Sequence, residues 1–108
     1  MDAKYAVELL RELVAIPSVN PGFTHAPADT IGEELLGAFL LNWARDNGIF
    51  AQRFEAAKVR PCILLETGPK EGPALLVSAH MDTVWTEMNA PFTLQERDND
   101  LYGLGAVD

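Results

Sequence analysis

The sequence is poor in cysteine, in positive charge and in long apolar runs. Cys62 is the single cysteine among 108 residues, so no intrachain disulfide can form. A lone thiol beside an apolar run reads as a buried, inert side chain rather than a nucleophile. It also fits a reducing, cytoplasmic setting. Lys and Arg number 8 against 16 Asp and Glu, giving a formal net charge of −8 and a pI near 4.6. Nucleic-acid binding needs a basic footprint, and this balance speaks against it. Anionic membrane surfaces are disfavoured for the same reason. No apolar run reaches the length of a membrane-spanning helix. The opening MDAKYAVELLREL is amphipathic and acidic, without the basic start and apolar centre of a signal peptide. What is present is ordinary for a soluble globular chain, with 48% hydrophobic and 22% charged residues, and the length fits one domain or part of one.

Two stretches carry helical periodicity. From Ala3 to Ala15 the residues Ala6, Leu9, Leu10, Leu13 and Val14 form an apolar stripe, and Pro17 ends the helix. Residues 16–27 are a loop rich in Pro, Gly, Ser and Asn, and His25 within it reads as solvated. The second helix is expected over Thr30 to Asn47. Thr30 and Glu33 fit a capping box, and Gly48 fits the position just past the end. Leu35, Leu36, Phe39, Leu40 and Trp43 give it a broad apolar face. Glu33 and Glu34 are adjacent helical positions and diverge, so they do not form a paired-carboxylate site.

Strands are expected over Ile49 to Glu55 and Cys62 to Glu66. The turn from Gly68 to Pro73 should fold the chain back into a third strand, Ala74 to Ala79, antiparallel to the second. Asp98, Asn99 and Asp100 form a turn whose spacing is not that of a calcium loop. Trp85 and Phe92 read as packing residues. The expected fold class is α/β, a mixed sheet flanked by two helices.

The chemistry concentrates at Leu75 to Val84, LLVSAHMDTV. If the strand continues through its end, His80 and Asp82 share a face, because residues two apart in a strand do. A carboxylate beside an imidazole can accept its N–H, fix the tautomer and raise the basicity of the other nitrogen. A single His-x-Asp also arises by chance, and taken alone it reads more readily as a structural or surface pair. Its place at the carboxyl end of an apolar strand favours a ligand site. A serine hydrolase using His80 and Asp82 is disfavoured, since no Gly-x-Ser-x-Gly elbow is present and Ser78 is only two residues from His80.

SAHMDTV resembles the His-x-Asp-x-Val signature of the M20 family of metallopeptidases and amidohydrolases. LYGLGAVD resembles that family's next block, a Gly-x-Gly turn leading to an Asp, and IPSVNPG resembles its N-terminal segment. The resemblance implies two zinc ions, with cobalt or manganese as substitutes. His80 would ligate one metal, Asp108 would bridge both, and Asp82 would orient His80 as a catalytic residue. Many family members carry Arg between the two glycines where this sequence has Leu104, which puts any role of that Arg in doubt. The implied substrate is a small peptide or an N-acyl amino acid, and the implied full-length protein can be a homodimer.

A catalytic zinc takes about three protein ligands and an open position, and the resemblance supplies at most two here. Residues 1–108 are therefore expected to be the N-terminal portion of a longer catalytic domain, catalytically incompetent alone. The competing reading is a non-catalytic α/β binding or assembly module that retains the scaffold.

Overall fold

The computed structural model of the protein describes Asp2–Val107. Helix α1 spans Ala3–Val14. The Asp2 carboxylate accepts the Tyr5 N–H at 2.8 Å and so satisfies one of the free amides of the first turn. The helix ends at Val14, three positions before Pro17 and one short of the expected Ala15. Two contacts tie it to the C-terminal part of the chain. Arg11 donates to the Leu94 carbonyl at 3.0 Å, and Val14 packs so closely on Gly103 that a Cβ there would lie 2.9 Å from Val14 Cγ1.

Helix α2 spans Glu34–Asp46 and starts later than the sequence pattern suggests. A single 3-10 turn, Ala28–Thr30, precedes it, and Gly32 at φ +99° breaks the helical path between them. The capping box does not form. The Thr30 hydroxyl donates back to the Pro27 carbonyl at 2.7 Å, and Glu33 is drawn away by Arg60. A guanidinium binding a carboxylate through two N–H groups outcompetes one neutral backbone amide. Gly48 closes the helix at φ +68°, as its position implies. Leu36, Gly37 and Ala44 are buried, whereas Leu35 faces solvent, one helical step off the covered stripe.

Strands β1 (Phe50–Ala57) and β2 (Arg60–Glu66) pair antiparallel, Phe50 opposite Glu66 and Phe54 opposite Cys62, with a bulge between Glu55 and Ala57. Alternation places Arg53, Pro61 and Ile63 toward α2, where Arg53 binds Glu34 at 2.8 Å. Phe50, Phe54 and Cys62 lie on the other face and are exposed. Cys62 is thus not the buried thiol expected, because no described element covers that face. A second hairpin joins β3 (Gln95–Arg97) to β4 (Asp100–Tyr102). Its two loop residues, Asp98 and Asn99, both have positive φ, and short polar side chains tolerate that conformation best.

The α/β class stands, but the strands form two antiparallel hairpins rather than one mixed sheet. The main correction concerns residues 74–79, which are neither a strand nor paired. Leu75, Leu76 and Val77 are 91%, 79% and 80% exposed. A run that is apolar on both faces belongs to a strand covered on both sides, and no described element flanks this one. Strand β2 takes β1 as its antiparallel partner instead. The parallel contacts are isolated bridges from Val19 to Ile31 and to Thr83. Val19 is fully buried and joins Val14, Leu36, Ala44 and Leu94 in a small core. No described helix is long and apolar enough to cross a membrane.

Candidate functional site around His80 and Asp82

The loop after α1 fixes the site. Val19 donates to the Thr30 carbonyl at 2.9 Å and accepts from Gly32 at 2.8 Å. The residues beside it hold the distant Thr83, whose N–H donates to Ser18 and whose carbonyl accepts from Asn20, each at 2.9 Å. Asp82 is therefore anchored through its neighbour although the run leading to it is open. The Asn20 side chain forms a local turn, its Oδ1 accepting the Gly22 N–H at 2.8 Å. Its amide then points at Asp82 and donates to Oδ2 at 2.6 Å.

Arg60 approaches the same carboxylate oxygen at 4.0 Å. Its position is set by Glu33, which accepts from Nε at 2.8 Å and from Nη2 at 2.6 Å. The Glu33 side chain is only 5% exposed. The hydrogen bond from Asn20 holds the Asp82 carboxyl below its ordinary pKa. Partial burial pushes the other way, and the backbone, His80 and Arg60 add to the lowering.

His80 and Asp82 do come together, by a route other than an extended strand. His80 Nδ1 lies 2.7 Å from the Asp82 backbone oxygen and 3.5 Å from carboxylate Oδ1. A carbonyl oxygen only accepts, so Nδ1 carries the proton in this contact. In the neutral ring Nε2 then bears the lone pair, on a side chain that is 60% exposed. The arrangement presents one basic nitrogen, with a carboxylate beside the ring kept ionised by an amide.

Among the described residues no three His, Cys, Asp or Glu side chains converge to hold a metal ion. The donor set does not fit zinc unaided: His80 supplies one imidazole, and the Asp82 carboxylate is engaged by Asn20. Asp108, the expected bridging ligand, lies outside the described residues. His25 stands apart on its loop with its ring edge toward Phe23 at 6.3 Å. Glu33 and Glu34 diverge as expected, to Arg60 and Arg53. Trp85 and Phe92 lie against each other, centroids 6.5 Å apart. Spacing alone did not reveal Asn20, Arg60 or Glu33 as parts of the site. Asn20 carried a readable turn signal before Pro21-Gly22, but its bond to a residue far along the chain did not.

A groove of about 980 Å³ opens between α1, α2 and β2 on one side and residues 75–82 on the other, with His80 and Asp82 in its wall.

The resemblance of the chain to the M20 family is borne out by its relatives. The relatives are acetylornithine deacetylases. That of Klebsiella pneumoniae (strain 342) is 37% identical over 110 residues, that of Erwinia tasmaniensis 36% over 110, and that of Photorhabdus laumondii 37% over 112. Each match covers 94% of this chain but only 27% of the relative. The chain thus spans about a quarter of the length of the curated relatives it matches. No protein-family model matches it, and no solved structure does.

Proposed function

We propose that the chain is the histidine-bearing part of an M20-type hydrolase that removes the acyl group from a small N-acyl amino acid, acetylornithine being the first substrate to test. The carrying observation is identity of 36–37% to acetylornithine deacetylases over 94% of the chain. The site geometry supports it. His80 offers Nε2 outward, its tautomer set by the Asp82 carbonyl. The Asp82 carboxyl, its pKa lowered chiefly by the Asn20 hydrogen bond, stays charged beside the ring. Asn20 and Arg60 keep that carboxylate from rotating away.

Zinc is the metal we propose, with cobalt or manganese as substitutes. The described residues supply one ligand, His80, and the further ligands must come from outside them, Asp108 among them. The cytoplasm is the proposed location. A non-catalytic assembly role is the second reading, favoured by the lack of a three-donor cluster among the described residues.

Zinc calorimetry separates the two. The chain is titrated alone and together with a polypeptide spanning the part of the Klebsiella relative that it does not cover. The hydrolase reading expects zinc binding and acetylornithine cleavage in the mixture, both lost in His80→Ala. Equal zinc uptake by wild type and His80→Ala, without cleavage, would leave the assembly module as the better reading.

A further inference from the structure

Helix α2 gives way to β1 through the one asparagine–glycine pair in the sequence, Asn47–Gly48. Both residues are exposed to water. Asparagine is a thermolabile residue, and this pair carries its own reaction. The Gly48 amide nitrogen gives up its proton and attacks the Asn47 side-chain carbon Cγ. A bond forms from that nitrogen to Cγ, and the bond from Cγ to Nδ2 breaks. Nδ2 takes up a proton and leaves as ammonia. Water then opens the five-membered imide at either carbonyl and leaves aspartate or isoaspartate. Nothing is oxidised or reduced, and water is the sole co-reactant. Glycine favours the attack because no Cβ obstructs it. The other asparagines lack that advantage. Asn20 precedes Pro21, whose nitrogen has no proton to lose. Asn42, Asn89 and Asn99 precede Trp43, Ala90 and Asp100, each with a Cβ in the way.

The end of α2 decides when the ring can close. Asn47 Nδ2, the leaving nitrogen, donates to the Trp43 carbonyl at 2.8 Å. The Gly48 N–H, whose proton must go, donates to the Arg45 carbonyl at 3.1 Å. Asn47 stands at φ −100° and ψ 9°, which turns the Gly48 nitrogen away from Cγ. Gly48 at φ +68° holds this turn, and Ile49 fastens it by donating to the Ala44 carbonyl at 2.8 Å. Two hydrogen bonds must therefore break, and one main-chain angle must rotate, before nitrogen and carbon meet.

We propose that Asn47–Gly48 is a spontaneous deamidation site gated by the C-terminal cap of α2, and that its product holds the cap open. The aspartate formed has no N–H to give the Trp43 carbonyl. Its charge lies at the negative end of the helix dipole and next to Asp46. Isoaspartate also lengthens the main chain by one carbon, which shifts Ile49 out of register with Ala44. Either product loosens the joint between α2 and β1, and the change runs one way.

The test incubates the chain in warm neutral buffer, with and without urea, and follows every asparagine by chromatography and peptide mass spectrometry. In urea, Asn47 should convert at least roughly tenfold faster than Asn42, Asn89 or Asn99, because the following residue then decides the rate. In buffer Asn47 should convert roughly tenfold more slowly than in urea, because the cap bonds hold the closed form. Amide hydrogen exchange reads the consequence. In the converted chain Asn47, Gly48 and Ile49 should exchange severalfold faster than in the fresh chain, and Asn47→Asp should reproduce the change. Asn47→Gln, whose ring would need six members, should stay unconverted and keep its exchange rates through the same incubation. Asn47 converting no faster than Asn89 in urea overturns the site. Equal rates in buffer and urea overturn the gate, and unchanged exchange in the converted chain overturns the loosened cap.

Discussion

Asp82 shows how much one amide can decide. The Asn20 bond at 2.6 Å is its shortest side-chain contact and the largest cause of its lowered pKa. A carboxyl lowered in the folded state stabilises the fold above the ordinary carboxylate pKa. That contribution disappears as pH falls through the lower folded value. Asn20→Ala should therefore raise the Asp82 pKa in a carbon-detected NMR titration. It should cost about 1.5 kcal/mol in urea unfolding at neutral pH, and much less once the pH is acid enough to protonate Asp82 in the wild type. The Arg60–Glu33 pair makes a separate prediction. Arg60→Met strands a nearly buried carboxylate and should lower the urea-unfolding midpoint. Glu33→Leu added to it should recover most of that loss. The pairing of His80 with Asp82 was legible from their spacing. The Asn20, Arg60 and Glu33 contacts were not, because they join side chains from a loop, a strand and a helix start that no local pattern relates.

Among the elements, both helices and the first two strands were readable from the period of their apolar residues. The strand at 74–79 was not, since a uniformly apolar run reports only that it wants covering and not whether cover is present. The capping box failed for a related reason: Thr30 and Glu33 match it in sequence, but a guanidinium from β2 competes for the glutamate. Two backbone positions carry predictions at this scale. Val59 sits at φ 54° in the turn between β1 and β2, a conformation that β-branched side chains resist. Val59→Asn should stabilise the chain by about 1 kcal/mol in thermal unfolding. Gly105 has φ +74°, and a Cβ there would lie 2.9 Å from Thr83 Cγ2. Gly105→Ala should cost about 2 kcal/mol and loosen Thr83, visible as faster amide exchange at Thr83.

For the whole molecule, charge and exposed apolar surface work against each other. The net charge of −8 keeps copies apart at neutral pH while Leu75 to Val77 invite association. Light scattering should rise as the pH approaches the pI near 4.6, and Leu76→Lys should delay the rise by removing part of the sticky run. The Val19 bridges, described above as an anchor, also impose an order of events. One bridge partner, Thr83, lies beyond both helices and the first hairpin, so joining it to Val19 closes a long loop. Helices and hairpins form from local contacts in microseconds, whereas a closure of that span waits for them. His80 and Asp82 should then reach their native environment late in refolding, so newly made chain would spend its earliest moments with its helices and hairpins built and its chemistry unassembled.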